Sequence, residues 1–193
     1  MINRPVPKRS QIPYDVQVRV FFRDKWLCWL CGRPAIFAPA FKYIDQFVKD
    51  SGYSRPTAYH SDAWRRDKSP LLLEMAAVVD HVTAHVHGGP SSEGNLGTAH
   101  HSCNIRKSSA AGETYTTRNP RRQIKSQYGE PEHWDGFVSV FMVLARTYET
   151  RLTRTEKSWY QSFEKFFSEE ANKNASEGPS NTPLQPTAER RGG

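Results

Sequence analysis

The chain has 193 residues, enough for one domain with a substantial core. A mean hydropathy of -0.72, with no run near the roughly 18 apolar residues of a membrane span, argues against a membrane protein, and the opening MINRPVPKRSQ lacks the apolar run of a secretory signal. Three cysteines suit a reduced, cytoplasmic setting better than a closed disulfide framework, and a net charge of +7 with a pI near 9.4 admits a polyanionic partner.

Residues 1–13, with three prolines, read as a loose arm. From Tyr14 to Trp26 a short helix is expected, with Val16, Val20 and Phe21 on one face and Arg19 and Arg23 on another. It delivers the chain to Cys28-Trp-Leu-Cys31, followed by Gly32, whose lack of Cβ permits a tight turn. Pro39 opens a helix over 40–49, with Phe41, Ile44, Phe47 and Val48 at helical spacing and Gly52 as its stop. The polar and aromatic stretch 53–70 reads as an insertion loop. The run MAAVVDHV, from Met75 to Val82, is apolar and β-branched towards its end, which predicts a buried strand ending near His81.

Gly88, Gly89, Pro90 and Gly94 mark a long turn, after which a helix is expected over 98–108 with Thr98 as its N-cap. Phe137, Phe141, Leu144, Tyr148 and Leu152 recur at helical spacing and predict an amphipathic helix over 136–152. A second, near 156–168, carries Trp159, Phe163, Phe166 and Phe167, and both aromatic stripes read as core or a dimer seam. From Glu169 onward the composition is that of a disordered tail.

Cys28 and Cys31 can ligate one ion from a single turn. His100 and Cys103, also three apart but on the expected helix, would point from one face and complete a Cys3His set for structural zinc. The competing reading is a group of ordinary buried thiols. His101 is the weaker fourth ligand, because on a helix positions 101 and 103 lie about 200° apart.

The pattern Cys28-x-x-Cys31, Asp80-His81, Gly88-Gly89, Asn95-Leu96, His100-x-x-Cys103-Asn104 and Lys107 resembles the HNH endonuclease family. His100 stands where a cysteine is commoner, and Ala84 where a proline is frequent. The resemblance implies an α+β fold: a small ββα-metal (HNH) core with a structural zinc site, flanked by helices at both ends. Together with the composition and periodicity above, the chain is read as a flexible arm (1–13), a nuclease core (14–118) with an insertion at 33–75, a helical extension (119–168) and a disordered tail (169–193).

The resemblance further implies a nuclease that hydrolyses DNA phosphodiesters with a catalytic divalent ion, Mg²⁺ above all. His81 would be the general base, since a neutral imidazole can take a proton from water. Asp80 and Asn104 would be the ion's oxygen ligands, and Asn95 would bond the backbone near His81 to hold the base. Lys107 would contact a phosphate, with Arg106, Arg118, Arg121, Arg122 and Lys125 as further contacts to double-stranded DNA. His85 and His87 read as solvated loop residues. Cleavage of both strands by such a core would call for two copies, so a homodimer is one expected assembly. The alternatives are a zinc-organised DNA-binding module without catalysis and a nuclease acting on RNA.

Overall fold

The computed structural model describes residues 11–53, 74–107 and 134–177. Its elements in chain order are α1 (Tyr14–Arg23), α2 (Pro39–Asp50), β1 (Ala77–His81), β2 (Leu96–His100), α3 (His101–Lys107), α4 (Val138–Thr147) and α5 (Arg154–Glu177). The two strands pair antiparallel, with Ala77 opposite His100, Asp80 opposite Gly97 and His81 opposite Leu96. One-turn 3₁₀ helices at His85–His87 and Glu93–Asn95 shape the connection between them. With α3 following β2 directly, this is a ββα unit. No helix among the described residues is long and apolar enough to cross a membrane.

The helix expected over 98–108 is instead a strand followed by a shorter helix. Thr98 is not an N-cap. Its backbone N–H goes to Asp24 Oδ2 at 2.8 Å and its hydroxyl to the Val20 carbonyl at 3.4 Å, while the His101 N–H reaches across to the Ala76 carbonyl at 2.8 Å. Partners on neighbouring elements thus hold residues 96–100 extended, and helical winding starts only where the sheet ends.

The helices make one core. α1 packs on α5 and α2 on α4. Phe21, Trp26, Phe37, Phe141 and Phe163 are buried together, and Trp159 stacks on Phe163 at 5.8 Å and meets Phe37 edge-on at 5.3 Å. Both aromatic stripes therefore turn mainly to the interior of this chain, while Phe167 at the end of the second stays exposed. On α1 the buried residues are Val18, Val20 and Phe21, while the expected Val16 packs at the margin.

α4 is shorter than the periodicity suggested. Phe137 sits ahead of it at φ +69°, and beyond Thr147 the chain tightens into a 3₁₀ turn at Glu149–Arg151. Gly136 is required where it stands: its φ is +66°, and a Cβ there would run into the Trp26 indole. α5, by contrast, outruns its expected end at Ser168 and continues to Glu177. Residues 169–173 carry no apolar group larger than Ala171, which gave them a tail-like composition, but Glu, Ala and Lys are good helix formers. Ion pairs from Lys165 to Glu169 and from Lys173 to Glu170 add to them.

The start of α5 is tied to α2. The Thr153 N–H donates to Glu156 Oε2 at 2.7 Å, and the Glu156 N–H to Thr153 Oγ1 at 3.3 Å, which is a capping box. The same carboxylate accepts from Lys42 at 2.9 Å and from the Tyr43 hydroxyl at 2.8 Å. Burial pushes the Glu156 carboxyl up, but the bonds from Lys42, Thr153 and Tyr43 outweigh it and hold it below its ordinary 4.5. A carboxyl so depressed stabilises the fold above about pH 4.5, and that contribution fades as pH falls through the lower folded value. Glu156→Gln should therefore lower stability by about 1–3 kcal/mol at neutral pH. In denaturant titrations the gap between the variant and the parent should narrow progressively below pH 4.5.

Candidate metal centre and active site

The segment after α1 is a tight hairpin. Leu27 and Pro34 form an antiparallel bridge, the Cys28 N–H bonds the Arg33 carbonyl at 3.0 Å, and the Gly32 N–H closes on the Cys28 carbonyl at 2.6 Å. Gly32 adopts φ +76°, a left-handed geometry that suits glycine. The hairpin docks on β2 through the Trp29 N–H, which bonds the Thr98 carbonyl at 2.8 Å. The Trp29 indole lies over Gly97, where a Cβ would come within 2.8 Å of the ring.

This docking brings Cys28 and Cys31 to His100 and Cys103, and the four ligand atoms lie within 4.8 Å of one another. The group could hold a metal ion such as zinc. Tetrahedral zinc with bonds of about 2.3 Å to sulfur and about 2.0 Å to nitrogen has edges of roughly 3.5–3.8 Å between ligands. His100 Nδ1 lies 3.3 Å from Cys31 Sγ and 3.7 Å from Cys103 Sγ, close to those edges. The other ring nitrogen, Nε2, is 2.9 Å from the Pro34 carbonyl. A carbonyl only accepts, so Nε2 carries the proton and Nδ1 presents its lone pair to the cluster. His100 reaches this position from the end of β2, not from a helix shared with Cys103 as the sequence suggested.

Donation by Cys28 to Cys103 and Cys31, together with burial, pushes the Cys28 thiol up, and the same contacts draw Cys31 and Cys103 down. Arg33 beside Cys31 and the Arg106 Nη2, 3.2 Å from Cys103 Sγ, offset the negative charge. Arg106, expected on a phosphate, thus turns one donor to the cluster.

The ends of the strands carry the second set. Asp80 and His81 are 6% and 3% exposed. Asp80 Oδ2 accepts from Lys107 Nζ at 2.8 Å and from Trp29 Nε1 at 3.2 Å. Lys107 also donates to the His81 carbonyl, and its ammonium stands 5.2 Å above the Trp29 ring. At 1% exposure Lys107 is shut away from solvent. The expectation that it contacts a phosphate is therefore corrected: an ammonium with an internal carboxylate, a carbonyl and a ring face as neighbours neutralises Asp80 instead.

His81 Nε2 lies 2.9 Å from the Ser91 hydroxyl, and its ring meets the half-buried His85 ring edge-on at 6.0 Å, while His87 is exposed. Asn95 stitches the intervening loop. Its Oδ1 accepts from the Thr83 N–H at 2.8 Å, and its Nδ2 donates to the Thr83 and Pro90 carbonyls at 3.1 and 2.8 Å. Gly89 must be a glycine for this, because a Cβ would strike the Thr83 carbonyl. Asn104 is half-buried in the middle of α3. Arg118, Arg121, Arg122 and Lys125 lie outside the described residues. Trp29 and Ser91 were not anticipated: a tryptophan between two cysteines and a serine in a turn have no spacing that announces such contacts.

If the Cys3His group holds zinc, replacing Cys103 with serine or adding a strong chelator should release it, measured by atomic absorption, and abolish the sharp thermal transition of the ββα unit, since structural zinc contributes roughly 10–16 kcal/mol in small domains.

A family model described as HNH endonuclease matches residues 66–110. No curated protein and no solved structure matches the chain. The chain is thus similar to the HNH endonuclease family over residues 66–110, a span that holds Asp80, His81, Asn95, Asn104, His100 and Cys103, with Cys28 and Cys31 joining the cluster from outside it.

Proposed function

We propose that this chain is a divalent-metal-dependent endonuclease that hydrolyses phosphodiester bonds of double-stranded DNA. The observation that carries the reading is the buried Asp80–His81 pair at the end of a strand, braced from below by Lys107 and Trp29 and from the side by the Asn95 loop. In this reading His81 is the general base and takes a proton from the attacking water. Ser91 and the short bridge from Asn95 to Thr83 keep the ring from turning.

Both bonds to Asp80 fall on Oδ2, and no described residue bonds Oδ1, so one carboxylate oxygen remains for an ion. Asn104 stands one turn before Lys107 on α3, about 60° round the helix, on the flank that Lys107 ties to β1. A carboxylate and a carboxamide are hard oxygen donors that fit Mg²⁺. When bound, such an ion supplies charge stabilisation to the phosphorane-like transition state and to the leaving 3′ oxygen. Hydrolysis of this kind leaves a 5′-phosphate and a 3′-hydroxyl.

Supercoiled plasmid is the direct test. The parent protein should relax it only with Mg²⁺ present, and His81→Ala should slow cleavage by about 10²–10⁴-fold, the usual worth of a general base. Asp80→Asn should raise the Mg²⁺ concentration needed. Equal cleavage by the parent and His81→Ala proteins would remove His81 from the chemistry. Salt-sensitive retardation of DNA by both, without cutting, would make the chain a DNA-binding module.

A further inference from the structure

The donor set around the strand end is unusual in its charge. Among the described residues, the one carboxylate there is Asp80, and Lys107 cancels it at 2.8 Å. Lys107 cannot swing away at little cost. Its ammonium bonds Asp80 Oδ2 and the His81 carbonyl and stands 5.2 Å from the centre of the Trp29 ring, and the residue is 1% exposed. His81 as a neutral base and Asn104 add no negative charge. Protein sites that hold Mg²⁺ or Ca²⁺ by themselves draw on carboxylates, whereas sites poor in them rely on substrate phosphates to complete the ion's shell.

We propose that Lys107 makes divalent-ion binding conditional on nucleic acid: the Asp80–Lys107 pair is a weak cation site alone, and becomes a competent one only when a backbone phosphate supplies the missing negative charge. The inference rests on Asp80 being an ion ligand, as set out above, and adds to it an order of assembly. The ammonium repels a dication beside Asp80, and the phosphate offsets that repulsion. By reciprocity, an ion that needs the phosphate must tighten DNA binding by the same factor. Free enzyme would then hold the ion only weakly, and cutting would be confined to complexes already seated on a backbone.

The test uses the full chain with its zinc cluster loaded. Mn²⁺ binding without DNA is followed by electron paramagnetic resonance for the parent, Lys107→Met, Asp80→Asn and the double variant. The expected result is weak binding by the parent and binding about tenfold tighter or more for Lys107→Met, lost again in the double variant. A folded Lys107→Met protein that binds Mn²⁺ no better than the parent would overturn the proposal. If Lys107→Met does not fold, the reciprocal measurement decides. Fluorescence anisotropy of a labelled duplex with His81→Ala protein should show about tenfold tighter binding with Mn²⁺ than without it. An unchanged affinity would overturn the proposal as well. Mn²⁺ binding by the parent that Asp80→Asn leaves untouched would instead strike the underlying ligand assignment, which separates the two failures.

Discussion

A ribbon of two five-residue strands has too few hydrogen bonds and too little apolar area to persist in water. Everything this protein places at the strand ends depends on how that ribbon is clamped. The clamp is the Cys28–Cys31 hairpin, a knuckle that carries Trp29 between its two cysteines. Trp29 bonds β2 through its backbone, lies over Gly97 and donates its indole N–H to Asp80. A few residues away, Cys28 and Cys31 meet His100 and Cys103 at the junction of β2 and α3. One hairpin thus fixes the face of the sheet, the start of the helix and the orientation of a buried carboxylate.

The helical layer does a different job. α1, α2, α4 and α5 share an aromatic interior around Trp26, Phe37 and Phe163, and α1 is also joined to the ribbon through Asp24 and Arg23, whose side chains bond Thr98 and Leu96 of β2. The ribbon is therefore gripped by the knuckle and by a rigid helical platform. Lys107, at the last position of α3, completes the arrangement by reaching back under β1. Burying a lysine and an aspartate together is costly unless each is fully bonded, and removal of either partner would strand a charge. That constraint keeps α3 in register with β1.

Much of this was legible in the sequence because the ligand types are rare and their spacing is narrow. Cys28, Cys31, His100 and Cys103 come together as expected, and Asn95 bonds the backbone two residues past His81. The helices α1, α2 and α5 could be read from apolar periodicity. β2 could not. Leu96-Gly97-Thr98-Ala99-His100 has neither strand alternation nor β-branched density, and it is extended only because β1, Asp24 and Trp29 supply its partners. The role of Lys107 was misread for a related reason, since a lysine near a helix end is ordinarily solvated and only the fold buries it. The Thr153–Glu156 cap has a local signature, but its tie to Lys42 and Tyr43 spans more than a hundred positions and has none.

The backbone at Ile36 has a bearing on how such a chain can vary. The Ile36 N–H bonds the Met75 carbonyl at 2.9 Å, and the Ala77 N–H returns a bond to the Ile36 carbonyl at 2.8 Å. The chain therefore departs and comes back through one doorway, and the span between is an excursion whose two feet are nailed together. Closing a loop costs only slightly more as it lengthens. The pairing at Ile36 thus anchors the strand bearing Asp80 and His81 by its own two bonds, at a cost that depends little on the length of chain between them.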